Sequence, residues 1–111
     1  MSVSFEGVGQ VCATFLGGEA TEGDVVKLTG SGTVGPCGAG DVFCGTMLCR
    51  KDDACTVQVC GFVTVKYSGT APAVGWTALC ADGRGGVKAG GDRQMPVVDV
   101  DTAAKTVTIL L

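Results

Sequence analysis

Residues 55–76 read CTVQVCGFVTVKYSGTAPAVGW. Cys55, Val57, Val59, Val63, Val65 and Tyr67 are apolar or amphipathic and occupy odd positions. Thr56, Gln58, Thr64 and Lys66 lie between them. A period of two marks a β-strand with one buried face, so the spacing predicts one long strand over 55–67. The following SGTAPAVG is rich in breakers and predicts a loop. Cys60 and Phe62 interrupt the pattern, being apolar on the otherwise polar even face. That predicts either a second sheet over this face or a contact with another subunit.

Working outward, the same pattern predicts strands at 11–15, 24–29, 33–34, 42–49, 76–81, 87–89, 95–100 and 106–111. Residues 2–6 read as a short first strand or an extended arm. Gly45 inside a strand predicts a bulge or a close backbone approach. Asp82-Gly83 is a hairpin signal, because a primed turn needs positive φ. The only candidate helical turns lie near 72–74 and 102–105. The fold class is therefore all-β: a small single-domain β-barrel or β-tulip-like fold built from hairpins. Residues 1–16 form an N-terminal arm with the first strands, and 17–111 form the barrel-like domain. An internal pseudo-repeat is also legible. Gly23-Asp24, a strand, a Gly-rich turn, Val34 and Gly40-Asp41 parallel Gly75-Trp76, a strand, Asp82-Gly83, Val87 and Gly91-Asp92. The competing reading is that hairpin-rich chains simply reuse turn chemistry.

Composition narrows the function. A chain of 111 residues makes one domain and buries enough surface for a core without staples. With 46% hydrophobic residues and 19 glycines it is a folded, turn-rich chain rather than a disordered one. The net charge is −3 and basic residues do not cluster beyond Arg50-Lys51, which argues against a nucleic-acid partner. No apolar run has the length of a membrane span, and residues 1–10 lack the basic start and apolar core of an export signal. A cytoplasmic origin is the expectation, and with it free thiols.

Candidate chemistry is sparse. The chain contains no His, so a Ser-His or Cys-His nucleophile pair cannot be built. Asp52-Asp53 adjoins Arg50-Lys51 and reads as a solvated turn. Asp99 and Asp101 lead into the last turn, where Asp bonds to local backbone. The seven cysteines, at 12, 37, 44, 49, 55, 60 and 80, include no C-x-x-C pair. Several fall where a thiol substitutes for Val or Ala as a small hydrophobe. The expectations are no catalytic residues, no metal and no cofactor. Trp76 opens a strand and predicts a core or subunit-contact residue, given the area an indole must bury. The apolar ending TVTILL predicts burial in a sheet or against a neighbour.

Three segments together, GDVVKLTGSGTVGPCGAGD, CTVQVCGFVTVKYSGTAPAVGWTALCADGRGGVK and VVDVDTAAKTVTILL, resemble the head-decoration proteins of tailed bacteriophages and prophages. That domain-of-unknown-function group shares a Gly-Asp strand like Gly23-Asp24, a Gly after an apolar pair like Gly45, and a strand like 56–65. It also shares a Gly/Ala/Val loop like 69–75 and a closing hairpin. The resemblance covers the chain from about Gly17 onward and consists of turn and strand patterns. Cysteines at 37, 44, 49, 55, 60 and 80 stand where small residues are expected. The resemblance implies a non-enzymatic virion protein assembled in the bacterial cytoplasm. Its implied partners are the major capsid protein and further copies of itself, with a trimer favoured and no nucleic acid or membrane. The N-terminal segment would reach the shell, with Val3 and Phe5 able to add an edge strand to a partner. The candidate contact residues are Val3, Phe5, Cys60, Phe62 and Trp76. The alternative is a host cytoplasmic β-rich module with ligand- or metal-binding thiols.

Overall fold

The computed structural model describes residues 10–17 and 19–111. Among these residues there are nine strands and no helix. They are β1 (Val11–Leu16), β2 (Val25–Gly30), β3 (Thr33–Pro36), β4 (Gly45–Lys51), β5 (Ala54–Cys60), β6 (Phe62–Lys66), β7 (Gly75–Ala81), β8 (Val87–Asp101) and β9 (Thr106–Leu110). The expected strand or arm at 2–6 lies outside the described residues. The all-β, barrel-containing fold expected from the sequence is the one observed. Five strands close into a barrel in the order β1-β3-β2-β4-β5, and four form a second sheet in the order β6-β9-β8-β7. β1 pairs antiparallel with β5 and meets β3 in parallel at Leu16↔Thr33, so the barrel begins at Val11, ahead of residue 17.

Two cores result. Val26, Val34, Met47, Cys55 and Val57 fill the barrel with Ala20. Leu79, Ala81, Val87, Met95, Val97, Val107 and Ile109 pack beneath the second sheet, joined by Phe43 and Tyr67. β2 serves both. Successive strand residues point to opposite faces. Val26, 0% exposed, therefore enters the barrel, while Val25, 1% exposed, enters the other core.

The long strand expected over 55–67 is two strands in two different sheets. Gly61, at φ +97°, turns the chain between them. The inward phase is kept across this corner. Cys55 and Val57 line the barrel, and Val65 and Tyr67 line the second core. Side-chain alternation is the same on both sides of the turn, so periodicity alone could not show it. Gln58 holds the corner. Its amide nitrogen donates to the carbonyls of Cys60 (3.1 Å) and Phe62 (2.9 Å), and its side-chain oxygen accepts from Gln10 (3.1 Å).

A second correction concerns 87–89 and 95–100, which are one strand. In β8 the register jumps from Ala78↔Gln94 to Leu79↔Ala89, so residues 90–93 loop out as an insertion. Gly90 and Gly91 supply the positive φ this needs, and Gly91 packs against Cys80. Gly45 makes the close approach its position suggested, since a Cβ there would run into the carbonyl oxygen of Gln58. The two halves of the pseudo-repeat are both antiparallel hairpins, β2–β3 and β7–β8. Their settings differ, because β2 has β4 as a further neighbour in a closed barrel and β7 ends the order of an open sheet. The apolar C-terminus is accounted for within the chain. β9 lies between β6 and β8, Ile109 is fully buried, and Leu111 donates its N–H to the Gly61 carbonyl at 2.9 Å. Residues 102–105 form a turn rather than a helix, with the Asp101 carboxylate accepting from the Ala103 and Ala104 N–H groups.

Candidate functional site

The second sheet has an inner face on its core and an outer face. Register places four even-numbered apolar residues side by side on the outer face. Phe62 on β6 pairs with Leu110 on β9. Trp76 on β7 pairs with Pro96 on β8. The pair Val97↔Ile109 makes Pro96 and Leu110 the next step along the adjoining strands. Their odd-numbered neighbours Val97 and Ile109 are buried in the core, so alternation turns Pro96 and Leu110 outward. The result is a row, Phe62–Leu110–Pro96–Trp76, crossing all four strands of the sheet.

The row becomes more exposed toward β7. Phe62, Leu110 and Pro96 are half-buried, whereas Trp76 is 72% exposed. Val74, just before β7, is 68% exposed. Trp76 is therefore not a core residue, which leaves surface contact as the role the sequence allowed it. Sequence reasoning named the two ends of the row, Phe62 and Trp76. It missed Pro96, Leu110 and Val74, because only the strand register aligns positions so far apart. Cys60 does not share the row. It ends β5 opposite the exposed Val11, one residue before the Gly61 corner, and it is exposed. Val3 and Phe5 lie outside the described residues.

Cys12, Cys49, Cys55 and Cys60 lie on barrel strands, Cys80 on β7, and Cys37 and Cys44 in the β3–β4 connection. Cys55 and Cys80 are buried; Cys12, Cys49 and Cys60 are exposed; Cys37 and Cys44 are intermediate. Burial, followed by the nearby Asp41 charge, pushes the Cys37 thiol up to about 11. Burial likewise raises Cys44. Both shifts disfavour the thiolate, the opposite of what a reactive or metal-binding cysteine needs. Among the described residues no group of three or more His, Cys, Asp or Glu side chains converges as a metal site.

Two polar clusters remain, and each is used locally. Lys27 donates to Asp41 at 2.6 Å, and the Gly38 N–H donates to the same oxygen at 2.8 Å. Both contacts hold the Asp41 carboxyl below its usual range. This pair borders a cleft of about 310 Å³ with Leu28, Val42, Phe43, Cys44 and Arg93. Arg93, at the end of the β8 insertion, donates to the Phe43 carbonyl at 3.1 Å. Asp82 accepts from Ser68 (2.6 Å) and from the N–H groups of Arg84 (2.6 Å) and Gly86 (3.1 Å). Those bonds shape the β7–β8 turn. No protein-family model matches the chain, and no curated protein matches it.

Proposed function

We propose that this protein is a non-enzymatic structural component of a bacteriophage or prophage particle. It decorates and stabilises the head by attaching in many copies to the major capsid protein. The observation that carries this reading is the apolar row across the outer face of the second sheet, ending in the exposed Trp76. Trp is the residue type most enriched where protein contacts concentrate their energy, and half-buried aliphatic neighbours are the setting in which it acts. Repeated attachment over a symmetric shell makes a modest single contact strong in aggregate. A surface with net negative charge suits the outside of a particle packed with nucleic acid. Work at such a site needs no general base, nucleophile or cofactor.

The test is to look for a major-capsid gene beside that of this chain and to co-sediment the protein with expanded shells assembled from its product. Wild-type protein should pellet with the shells and saturate at a fixed ratio to capsid subunits. Phe62→Lys combined with Trp76→Lys should abolish pelleting while the far-ultraviolet spectrum stays that of the wild type. No retention of the wild-type protein would overturn the reading.

A further inference from the structure

The barrel has no edges, but the second sheet does, and its two edges are unlike. On the β6 side the Phe62 carbonyl accepts from Gln58, so the β5–β6 corner already occupies part of that edge. On the β7 side the far end is also occupied. The Gly40 N–H donates to the Ala81 carbonyl and the Ala81 N–H donates to the Asp41 carbonyl, both at 2.9 Å. Between Gly75 and Leu79 no neighbouring strand lies beside β7 among the described residues.

The register shows which groups this open half presents. Trp76 faces Pro96, which has no N–H. That pair therefore cannot exchange two hydrogen bonds, and the bonded pairs are Gly75↔Val97 and Thr77↔Met95. The main-chain N–H and C=O groups of Trp76 and Ala78 consequently point away from β8, toward the open edge. Natural edges are commonly guarded by Lys, Pro or a charge that rejects a second strand. Here residues 69–81, GTAPAVGWTALCA, carry no charge at all, and the one proline, Pro72, lies outside the strand.

We propose that the open half of β7 pairs with the same stretch of a second copy, antiparallel about a two-fold axis at Thr77. The side chains favour a like partner. The outer face of this half carries one large residue, Trp76, and one small one, Ala78. Antiparallel pairing centred on Thr77 places each copy's Trp76 opposite the other's Ala78, large against small, and these residues exchange the outward main-chain bonds. An uncharged edge meets its own copy without like-charge repulsion. A two-fold contact uses the same edge of both copies, so assembly closes at two. The two sheets become one, with the two apolar rows offset by two residues where they meet. This interface stands independently of attachment to a shell.

Sedimentation equilibrium on the full chain tests it. The wild type should be a dimer at micromolar concentrations. Ala78→Lys, which restores an edge charge, should weaken dimerisation at least tenfold while its far-ultraviolet spectrum stays that of the wild type. Phe62→Lys, at the far end of the row, should leave the dimer intact. In a chain with Cys12, Cys49 and Cys60 replaced by Ser, Thr77→Cys should oxidise to a 77–77 disulfide identifiable by peptide mass. Directly opposed residues of a non-bonded antiparallel pair lie about 4.5 Å apart, within disulfide reach. A monomeric or trimeric wild type, an Ala78→Lys dimer as tight as the wild type, or no 77–77 link would each overturn the proposal. A dimer that fails to bind shells would overturn the attachment reading alone.

Discussion

The barrel and the second sheet are made by one chain from the same alternating pattern, yet they end differently. The barrel pairs its first strand with its last and leaves no edge. Its core is small, built from Val26, Val34, Met47, Cys55 and Val57. The second sheet covers the larger core, leaves half of β7 without a neighbouring strand among the described residues, and carries an apolar row on its outer face. Closure spends all of a sheet's main-chain hydrogen bonding on itself, whereas an open sheet keeps some for a partner. The division leaves main-chain bonding capacity in one half and none in the other. It also raises a physical question: whether the two halves are stable separately.

The largest expected effects come from emptying each core. Met47→Ala removes barrel contacts and Leu79→Ala removes contacts beneath the second sheet, and both residues are fully buried. Each should cost roughly 2–5 kcal/mol. Because Val25 and Val26 tie β2 into both cores, each variant should lower the stability of the whole molecule. Hydrogen exchange read by peptide mass reports the barrel and the second sheet separately. In urea the two signals should change together for the wild type and both variants. Separate midpoints would break the molecule into two independent units.

Next in size is the joint between the sheets. Gln58 is buried and donates to two carbonyls across the Gly61 corner. Gln58→Leu keeps much of the volume but leaves both carbonyls without that donor, at a cost of about 1–3 kcal/mol. Equilibrium unfolding measures the loss. A cost near zero would mean that the glycine turn alone sets the corner.

The same corner shows what the sequence could and could not convey. Strand content was legible because Val57, Val59, Val63 and Val65 alternate with polar residues. The close approach at Gly45 was legible because a glycine in a strand has few other uses. The change of sheet at Gly61 was hidden, since the inward phase of the side chains does not change there. The β8 insertion was hidden for a related reason: Gly90 and Gly91 look like a turn between two strands, and only the pairing with β7 shows the strand resuming. Phe62 and Trp76 were visible as apolar residues out of place. Their membership of one row depends on pairings with Pro96 and Leu110, which no local pattern encodes.

A smaller effect, readable by pH, concerns the seam. Cys37 lies in the β3–β4 connection, packs against the second core and has its thiol pushed up to about 11. An unfolded thiol ionises near 9.0. Burial therefore favours the neutral thiol in the fold, and that contribution is intact below pH 9. As pH rises from there to about 11 the unfolded chain ionises first, so stability falls through this window. The urea midpoint should decline over that range, and Cys37→Ala should flatten the decline. Lys27, whose pKa Asp41 raises, adds a loss of the same sign only above its ordinary 10.5. A slope unchanged in Cys37→Ala would mean that the thiol ionises equally in both states.

The smallest expected change in stability is at Trp76, the most exposed large hydrophobic residue of the second sheet. Trp76→Ala deletes a side chain that is 72% exposed and whose cross-strand neighbour is Pro96. Exposed substitutions of this kind usually fall within about 0.5 kcal/mol. Thermal unfolding followed by dichroism, at a dilution where the chain is monomeric, should therefore match the wild type closely. Solubility should rise or stay the same, because an exposed apolar group is removed from an unguarded edge. A large loss of stability would return Trp76 to a structural role and weaken the contrast between the halves. A neutral result would sharpen it, because a tryptophan that contributes little to folding and stands in solvent on an open edge is best accounted for by a partner.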